Sequence, residues 1–98
     1  MKTNSKLVKD RIKRHIKSFI SIKDLKSQIK AVKYGNMSDS EAIDYIIQGG
    51  QFLIYYYEVK KFLNKLGINP LNKEYSDNKS WQLYKNLIII NAMELINK

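Results

Sequence analysis

Apolar residues recur at helical spacing along almost the whole chain and divide it into five amphipathic segments. In the first segment, about residues 4–19, the apolar positions are Val8, Ile12, Ile16 and Phe19. The sequence has neither a period-two alternation nor an Asn-Gly or Asp-Gly hairpin turn, so strands are not indicated. The pattern predicts an all-α fold, a compact bundle of four to five helices, in one domain over residues 1–98.

The second segment repeats the design of the first. Its apolar positions are Ile22, Leu25, Ile29 and Val32, and a lysine follows each of them one residue later. Ser21 and Asp24 have the spacing of a capping box, and Gly35 stands where a left-handed residue would end the helix. We therefore expect a basic N-terminal helix pair, with a second helix over residues 22–34 and a break near residues 18–21. One continuous helix of about 30 residues is the alternative, because little between the segments disfavours a helix.

Three further helices are expected in the rest of the chain. The first of them begins at a capping box formed by Ser38 and Glu41 and ends at Gly49-Gly50. The next covers residues 51–66, and the last runs from residue 76 or 77 to about residue 96. Because both of these helices carry apolar residues on more than one side, we expect them to be central in the bundle.

The fourth segment has a competing interpretation and a clear end. Aromatic and β-branched residues are concentrated in Phe52–Tyr57, so a short strand is the alternative there. Gly67 is expected to close the helix. The residues expected to be buried together are Phe52, Tyr56, Val59, Phe62, Trp81, Tyr84 and Ile88.

The net charge of +9 lies entirely in the first third of the chain. Residues 1–33 contain eleven basic and two acidic residues, whereas residues 34–98 contain seven of each. This asymmetry indicates an anionic partner, in particular nucleic acid or a nucleoprotein complex. We expect the binding surface to consist of Lys6, Lys9, Lys13, Arg14, Lys17, Lys23, Lys26, Lys30 and Lys33. Lysine outnumbers arginine in this part by nine to two, which favours diffuse attraction to phosphates over bidentate reading of bases.

Composition excludes several classes of protein. There is no cysteine, so disulfides and thiolate metal sites are excluded. No apolar run approaches the length of a membrane span, and no secretory signal pattern is visible. We expect a cytoplasmic protein with no membrane partner and no cofactor.

No spacing in the chain specifies a reaction. His15 is the only histidine, and without a carboxylate or nucleophile near it in sequence a surface or edge position is favoured over a general base. Asp39, Glu41 and Asp44 could bind a hard metal ion, but acids in a first helical turn also complement the helix dipole. A helix-turn-helix would need apolar residues at positions 41 and 44, where this chain has acids. We therefore expect no catalytic residue, no metal site and no enzyme.

The order of segments in the second part of the chain resembles a known group. It contains a short helix, a Gly pair, the aromatic run Phe52–Tyr57, then Phe62-Leu63 and Leu66-Gly67-Ile68. Over roughly residues 38–90 this resembles small uncharacterised helical accessory proteins of phages and prophages. The resemblance carries no catalytic residue to transfer. It implies a mobile-element accessory protein, a group that includes stoichiometric inhibitors of host defence such as anti-CRISPR proteins.

Charge pattern and resemblance together predict a binding function in the cytoplasm of a host cell. We expect the lysine-rich helices to inhibit or regulate a host nucleic-acid-handling (defence) complex. A non-specific DNA- or RNA-binding accessory protein is the alternative, and a host protein is a further candidate target. The apolar residues on several sides of the last two helices also leave a homodimer open.

Overall fold

Five helices account for the regular structure of the described chain. The computed structural model describes residues 5–49, 56–68 and 77–97. In chain order the helices are α1 (Ser5–Phe19), α2 (Ile22–Val32), α3 (Asp39–Gln48), α4 (Tyr56–Lys65) and α5 (Asp77–Ile96). No strand occurs within the described residues. The predicted all-α bundle of four to five helices is confirmed.

α1 and α2 are separate helices because the chain turns at Ile20 and Ser21. α1 ends at Phe19 and α2 begins at Ile22. The Ser21 hydroxyl accepts a hydrogen bond of 3.1 Å from the backbone N–H of Asp24, one of the donors left open at the start of α2. The predicted break is confirmed, and the alternative of one continuous helix is wrong.

α2 ends two residues earlier than predicted. Its last residue is Val32, and Lys33 has an extended backbone while its N–H still bonds to the carbonyl of Ile29 at 3.0 Å. Gly35 has the left-handed backbone that glycine permits, with φ of 57°. Gly35 lies in the turn between α2 and α3 and does not cap α2, whose C-cap is Lys33.

α3 begins at the predicted capping box. The Ser38 hydroxyl accepts a hydrogen bond of 3.2 Å from the Glu41 N–H, and the Glu41 carboxylate accepts one of 3.3 Å from the Ser38 N–H. Gly49 is the C-cap and donates its N–H to the carbonyl of Tyr45 at 2.9 Å. These contacts span at most four residues, which is why the local sequence predicts both ends of α3.

α4 ends in a Schellman motif. Gly67 is left-handed, with φ of 83°. Its N–H bonds to the carbonyl of Asn64 at 3.0 Å, and the N–H of Ile68 bonds to the carbonyl of Leu63 at 3.0 Å. The predicted closure at Gly67 is confirmed.

The start of the predicted fourth helix lies only partly in the described residues. Tyr56 and Tyr57 are helical, so the strand interpretation is wrong for these two positions. Residues 51–55, which complete the predicted helix and the alternative strand, lie outside the described residues.

α5 is the central helix of the bundle, as predicted, whereas α4, for which the same position was expected, packs mainly on α5. α5 contacts α1, α2, α3 and α4. Tyr84, Ile88, Ala92 and Leu95 are buried along one face. The flanking residues Leu83, Leu87, Ile89 and Met93 are partly buried. Because neighbours cover α5 on several sides, its apolar pattern extends around most of the helix.

The core lies between α5 and the inner faces of the other helices. Its buried apolar residues are Ile12, Ile16, Leu25, Ile29, Ala42, Ile43, Ile46, Ile47, Val59, Leu63, Leu66, Tyr84, Ile88, Ala92 and Leu95. Of the seven residues predicted to be buried together, three are buried: Val59, Tyr84 and Ile88. Phe62 and Trp81 pack against the core from its edge and are only partly buried. The side chains of Phe52 and Tyr56 lie outside the described part.

Some large apolar side chains remain exposed among the described residues. They are Leu7, Phe19, Tyr34, Tyr45 and Ile90. They are distributed over α1, the turn after α2, α3 and α5, and single exposed apolar residues are ordinary on a protein surface. The homodimer therefore stays a prediction, which light scattering would test. In the described parts of the chain, no helix combines the length and the apolar character needed to cross a membrane.

Candidate anion-binding surface

Two of the nine predicted surface residues on α1 face α5 and are paired there. Lys13 Nζ lies 2.9 Å and Lys9 Nζ 3.4 Å from the carboxylate of Glu94. The Lys13 side chain is only 16% exposed. The hydrogen bond from Lys13 is the main reason why the pKa of Glu94 is lowered, and the charges of Lys13 and Lys9 add to it. These two lysines therefore hold α1 against α5, and the carboxylate of Glu94 offsets one of their two positive charges.

Lys33 is also paired, with an acid of the next helix. Its Nζ lies 2.8 Å from Oδ1 of Asp39 in the first turn of α3. Lys6, at the start of α1, is exposed and has an interaction within the protein. The nine predicted residues therefore fall into two groups: those that have a partner within the protein and those that have none among the described residues.

Five of the nine residues keep their charge available. They are Arg14, Lys17, Lys23, Lys26 and Lys30. All five are exposed, and within the described chain none has an ion pair or hydrogen bond from its side chain. These five residues line three depressions on the surface of α1 and α2.

The α2 depression is the part of this surface with the highest density of lysine. It has a volume of about 470 Å³ and is lined by Ile22, Lys23, Lys26, Ser27 and Lys30. The three lysines are spaced 3 and 4 residues apart, so they share one face of the helix. No acid lines this depression. An anion placed in it would meet three ammonium groups and one hydroxyl.

The elbow is a second depression, at the turn between α1 and α2. It has a volume of about 570 Å³, and Lys17, Ser18, Asp24 and Ser27 are among its lining residues. Ser27 lines the α2 depression as well, so the two depressions are neighbours. Asp24 is the one acid in either of them, and it lies in the first turn of α2, where a carboxylate complements the helix dipole.

The α1–α4 cleft is a third depression, on the other side of the elbow. It has a volume of about 490 Å³ and is lined by Arg11, Arg14, His15, Ser18, Phe62, Lys65 and Leu66. Arg11 Nη1 donates a hydrogen bond of 3.0 Å to the backbone carbonyl of Lys65, which satisfies an open acceptor at the C-terminal end of α4. Ser18 lines both this cleft and the elbow.

Together the α2 depression, the elbow and the α1–α4 cleft form one surface, which we name the cationic belt. Its basic residues are Arg11, Arg14, Lys17, Lys23, Lys26, Lys30 and Lys65, against the single acid Asp24. Sequence reasoning did not select Arg11 or Lys65 for the surface. Lys65 belongs to the electrically neutral part of the chain, and only the packing of α4 on α1 brings it to the belt.

His15 lies at the edge of the core and belongs to the α1–α4 cleft. Its ring stacks on Phe62, with centroids 4.1 Å apart and an angle of 30° between the rings, and meets Phe19 edge-on at 4.8 Å. Burial lowers the pKa of His15 to about 4, so the imidazole is neutral at pH 7. Its Nε2 has no hydrogen-bond partner among the described residues. The predicted edge position agrees with this geometry, whereas the aromatic contact was not visible in the sequence.

The acidic group that could have bound a metal ion has other contacts in the structure. Asp39 pairs with Lys33, and Glu41 is part of the capping box of α3. Asp44 accepts hydrogen bonds of 3.1 Å from both Lys85 and Gln48. Among the described residues there is no group of three or more His, Asp or Glu side chains placed to hold a metal ion.

Comparison with known proteins adds no relative to this description. No family model matches the chain, and neither the curated proteins nor the solved structures contain a match.

Proposed function

We propose that this protein acts by binding nucleic acid along the cationic belt, within a host nucleic-acid-handling (defence) complex that it inhibits or regulates. The observation that carries the proposal is the charge of the belt, in which three neighbouring depressions, linked by the shared lining residues Ser18 and Ser27, present seven basic residues and one acid. A phosphate backbone supplies repeated negative charge along a line, which a continuous cationic surface complements. In this proposal the protein is a phage-type accessory protein of the host cytoplasm.

The distribution of ion pairs supports this direction of binding. The fold pairs Lys9 and Lys13 with Glu94, and Lys33 with Asp39. Within the described chain, no acidic side chain pairs with the three lysines of the α2 depression. Repulsion among these neighbouring charges destabilises the free protein, and a bound polyanion would relieve it. The α2 depression is therefore the centre of the proposed contact.

The proposal assigns binding and no catalysis. His15 is neutral at pH 7, and no carboxylate orients its Nε2 within the described residues. A general base would need such an orienting partner and a nucleophile within reach. We therefore assign the basic residues to attraction and positioning of phosphates.

A non-specific DNA- or RNA-binding accessory protein is the second candidate. It is favoured by the lysines of the α2 depression, because an ammonium group attracts phosphate as a point charge and reads no base edge. The two candidates differ in what the purified protein does alone. The accessory protein would retard nucleic acid at moderate salt by itself, whereas the inhibitor would need the host complex for tight binding.

The test is a reversal of charge in the α2 depression. We expect K23E/K26E/K30E to lose binding to nucleic acid, or to the nucleoprotein complex recovered by pull-down with and without nuclease. For the wild-type protein on duplex, the logarithm of affinity should fall with the logarithm of salt concentration with a slope of about −0.9 per phosphate neutralised. Circular dichroism should show an unchanged helix content, because all three lysines are exposed.

The matched control is K60E/K61E/K79E, which makes the same change of charge on α4 and α5. None of these three residues lines a depression of the belt. We expect this variant to keep most of its binding. The proposal is wrong if the control loses binding while the α2 variant keeps it.

A further inference from the structure

The α1–α4 cleft differs in chemistry from the rest of the cationic belt. The α2 depression presents ammonium groups, whereas the cleft combines an apolar, aromatic part with cations around it. The aromatic part is the stacked pair of His15 and Phe62, beside Leu66. The cations are Arg11, Arg14 and Lys65. A ligand that fits all of this must carry negative charge and a flat or apolar group together.

Two polar groups in the cleft have hydrogen-bonding capacity that the protein does not use. His15 Nε2 is buried and without a partner among the described residues. The Arg14 guanidinium is exposed and makes no hydrogen bond or ion pair there. The buried Nε2 is unfavourable without a partner, but it is closed to solvent, so a ligand in the open cleft meets the ring of His15 and the free guanidinium of Arg14. Arg11 uses one nitrogen for the end of α4, which leaves its other donors for a ligand.

We infer that the α1–α4 cleft binds the base of one unpaired nucleotide, with Arg14 and Lys65 on the flanking phosphates and the base against the rings of His15 and Phe62. This inference rests on the proposed function and specifies the partner as single-stranded nucleic acid, or a duplex with an unpaired base. The cleft volume of about 490 Å³ lies within the range of small-molecule sites. The belt continues through Ser18 into the elbow, so the strand that leaves the cleft meets Lys17 next.

The alternative occupant, an acidic peptide, fits the cleft less well. Carboxylates would satisfy the cations but would leave the aromatic pair without a flat partner. Stacking of a base on an aromatic side chain is the usual way in which proteins bind unpaired bases without reading the sequence. In a duplex each base is already stacked and paired, so a regular duplex offers the cleft only its phosphates.

The experiment compares three fluorescein-labelled probes of equal length by anisotropy at the same salt concentration. The probes are a single strand, a strand of abasic deoxyribose phosphates, and the blunt duplex. We expect the single strand to bind about 5- to 100-fold more tightly than the abasic strand, since the cleft stacks one base. The F62L variant should abolish this difference and leave the affinity for the abasic strand unchanged. The Y45L variant, which removes an exposed aromatic ring on α3, should behave as the wild type.

The outcomes separate this inference from the proposed function. Equal affinities for single strand and abasic strand overturn the base-binding cleft, and if K23E/K26E/K30E still abolishes both, the proposed function stands. If neither probe nor duplex binds the wild-type protein at low salt, the base-binding cleft and the non-specific accessory protein both fail, and the pull-down of the host complex with and without nuclease then decides on the inhibitor. Displacement of the strand by poly-glutamate at matched charge, with no difference between the probes, identifies an acidic protein and overturns the inference. Should F62L fail to fold, the comparison of probes on the wild-type protein decides the question.

Discussion

α1 and α2 follow the same sequence design, yet the fold uses their lysines for different purposes. In both helices a lysine stands one residue after each of several buried or half-buried apolar positions. Lys9 and Lys13 of α1 face Glu94 of α5 and are paired with it. Lys26 and Lys30 of α2 face a depression that no acid lines. Whether a lysine is paired or available for a partner therefore depends on whether the neighbouring helix places an acidic residue opposite it. The sequence pattern around the lysine does not reveal this.

The apolar part of the shared design should be equally important in both helices. Ile12 of α1 and Leu25 of α2 are both fully buried. We expect Ile12→Ala and Leu25→Ala each to lower the free energy of unfolding by about 2–5 kcal/mol, because each leaves a cavity in the core. Urea unfolding measures this change. A loss below about 1 kcal/mol in one variant but not in the other would show that the apolar residues of α1 and α2 do not contribute equally to stability.

The charged part should differ most clearly in binding. Removing two belt lysines with K26Q/K30Q should weaken binding to duplex about 10-fold or more at moderate salt and make the salt slope shallower by about 1.8, the share of two phosphates. The matched variant K9Q/K13Q removes the same charge from the paired side of α1. We expect a smaller change of slope in this variant, because Glu94 offsets one of the two positive charges and neither lysine lines the belt. Equal slopes in the two variants would show that the ion pairs with Glu94 open on binding. The distinction between paired lysines on α1 and available lysines on α2 would then be incorrect.

A fall in pH should destabilise α1 through His15. The folded ring has a pKa of about 4, while the unfolded chain has the ordinary value of about 6.5. Between these values the unfolded chain binds a proton that the folded protein excludes, so stability is complete above pH 6.5 and falls as pH drops towards 4. Solvent at the half-buried ring screens the effect, and we expect a loss of about 1–2 kcal/mol.

Thermal unfolding followed from pH 7 to pH 4.5 would measure this loss. The control is H15F, which keeps an aromatic ring against Phe62 and should flatten the dependence in this range. The pKa of Glu94 is also lowered by its lysine partners, so its contribution to stability falls at acid pH as well, and H15F, which keeps Glu94, separates the two contributions. A melting temperature of the wild-type protein that stays constant over this range would contradict the prediction.

The smallest effect should be the coupling between α1 and α5. K13Q should lower the stability by about 1 kcal/mol, since its ion pair is partly buried, and K26Q should change it by less than about 0.5 kcal/mol. A double-mutant cycle of K13Q with E94Q would give the interaction energy between the two side chains directly. A coupling of zero would mean that Lys13 contributes to the α1–α5 contact only through its aliphatic stem.

The sequence by itself determined the helices and several of their ends, but not the end of α2 at Val32. Ser21, Ser38 and Gly67 were identified before the structure, because each acts through hydrogen bonds that reach only three to five residues along the chain. The buried seams of α1 and α2 followed from spacing alone, because helical geometry converts a sequence period directly into a face. The confinement of the net charge to residues 1–33 was equally evident from composition.

Only the tertiary structure decided which basic residues remain available for a partner. Lys13 meets Glu94 across 81 positions, and Arg11 meets the carbonyl of Lys65 across 54. No local pattern encodes such contacts, since they arise from the way α1 and α4 pack on α5. The same packing stacks His15 on Phe62 and so puts an aromatic pair among the cations of the belt. Periodicity specifies which face of a helix is buried, whereas the identity of the side chain opposite is a property of the assembled bundle.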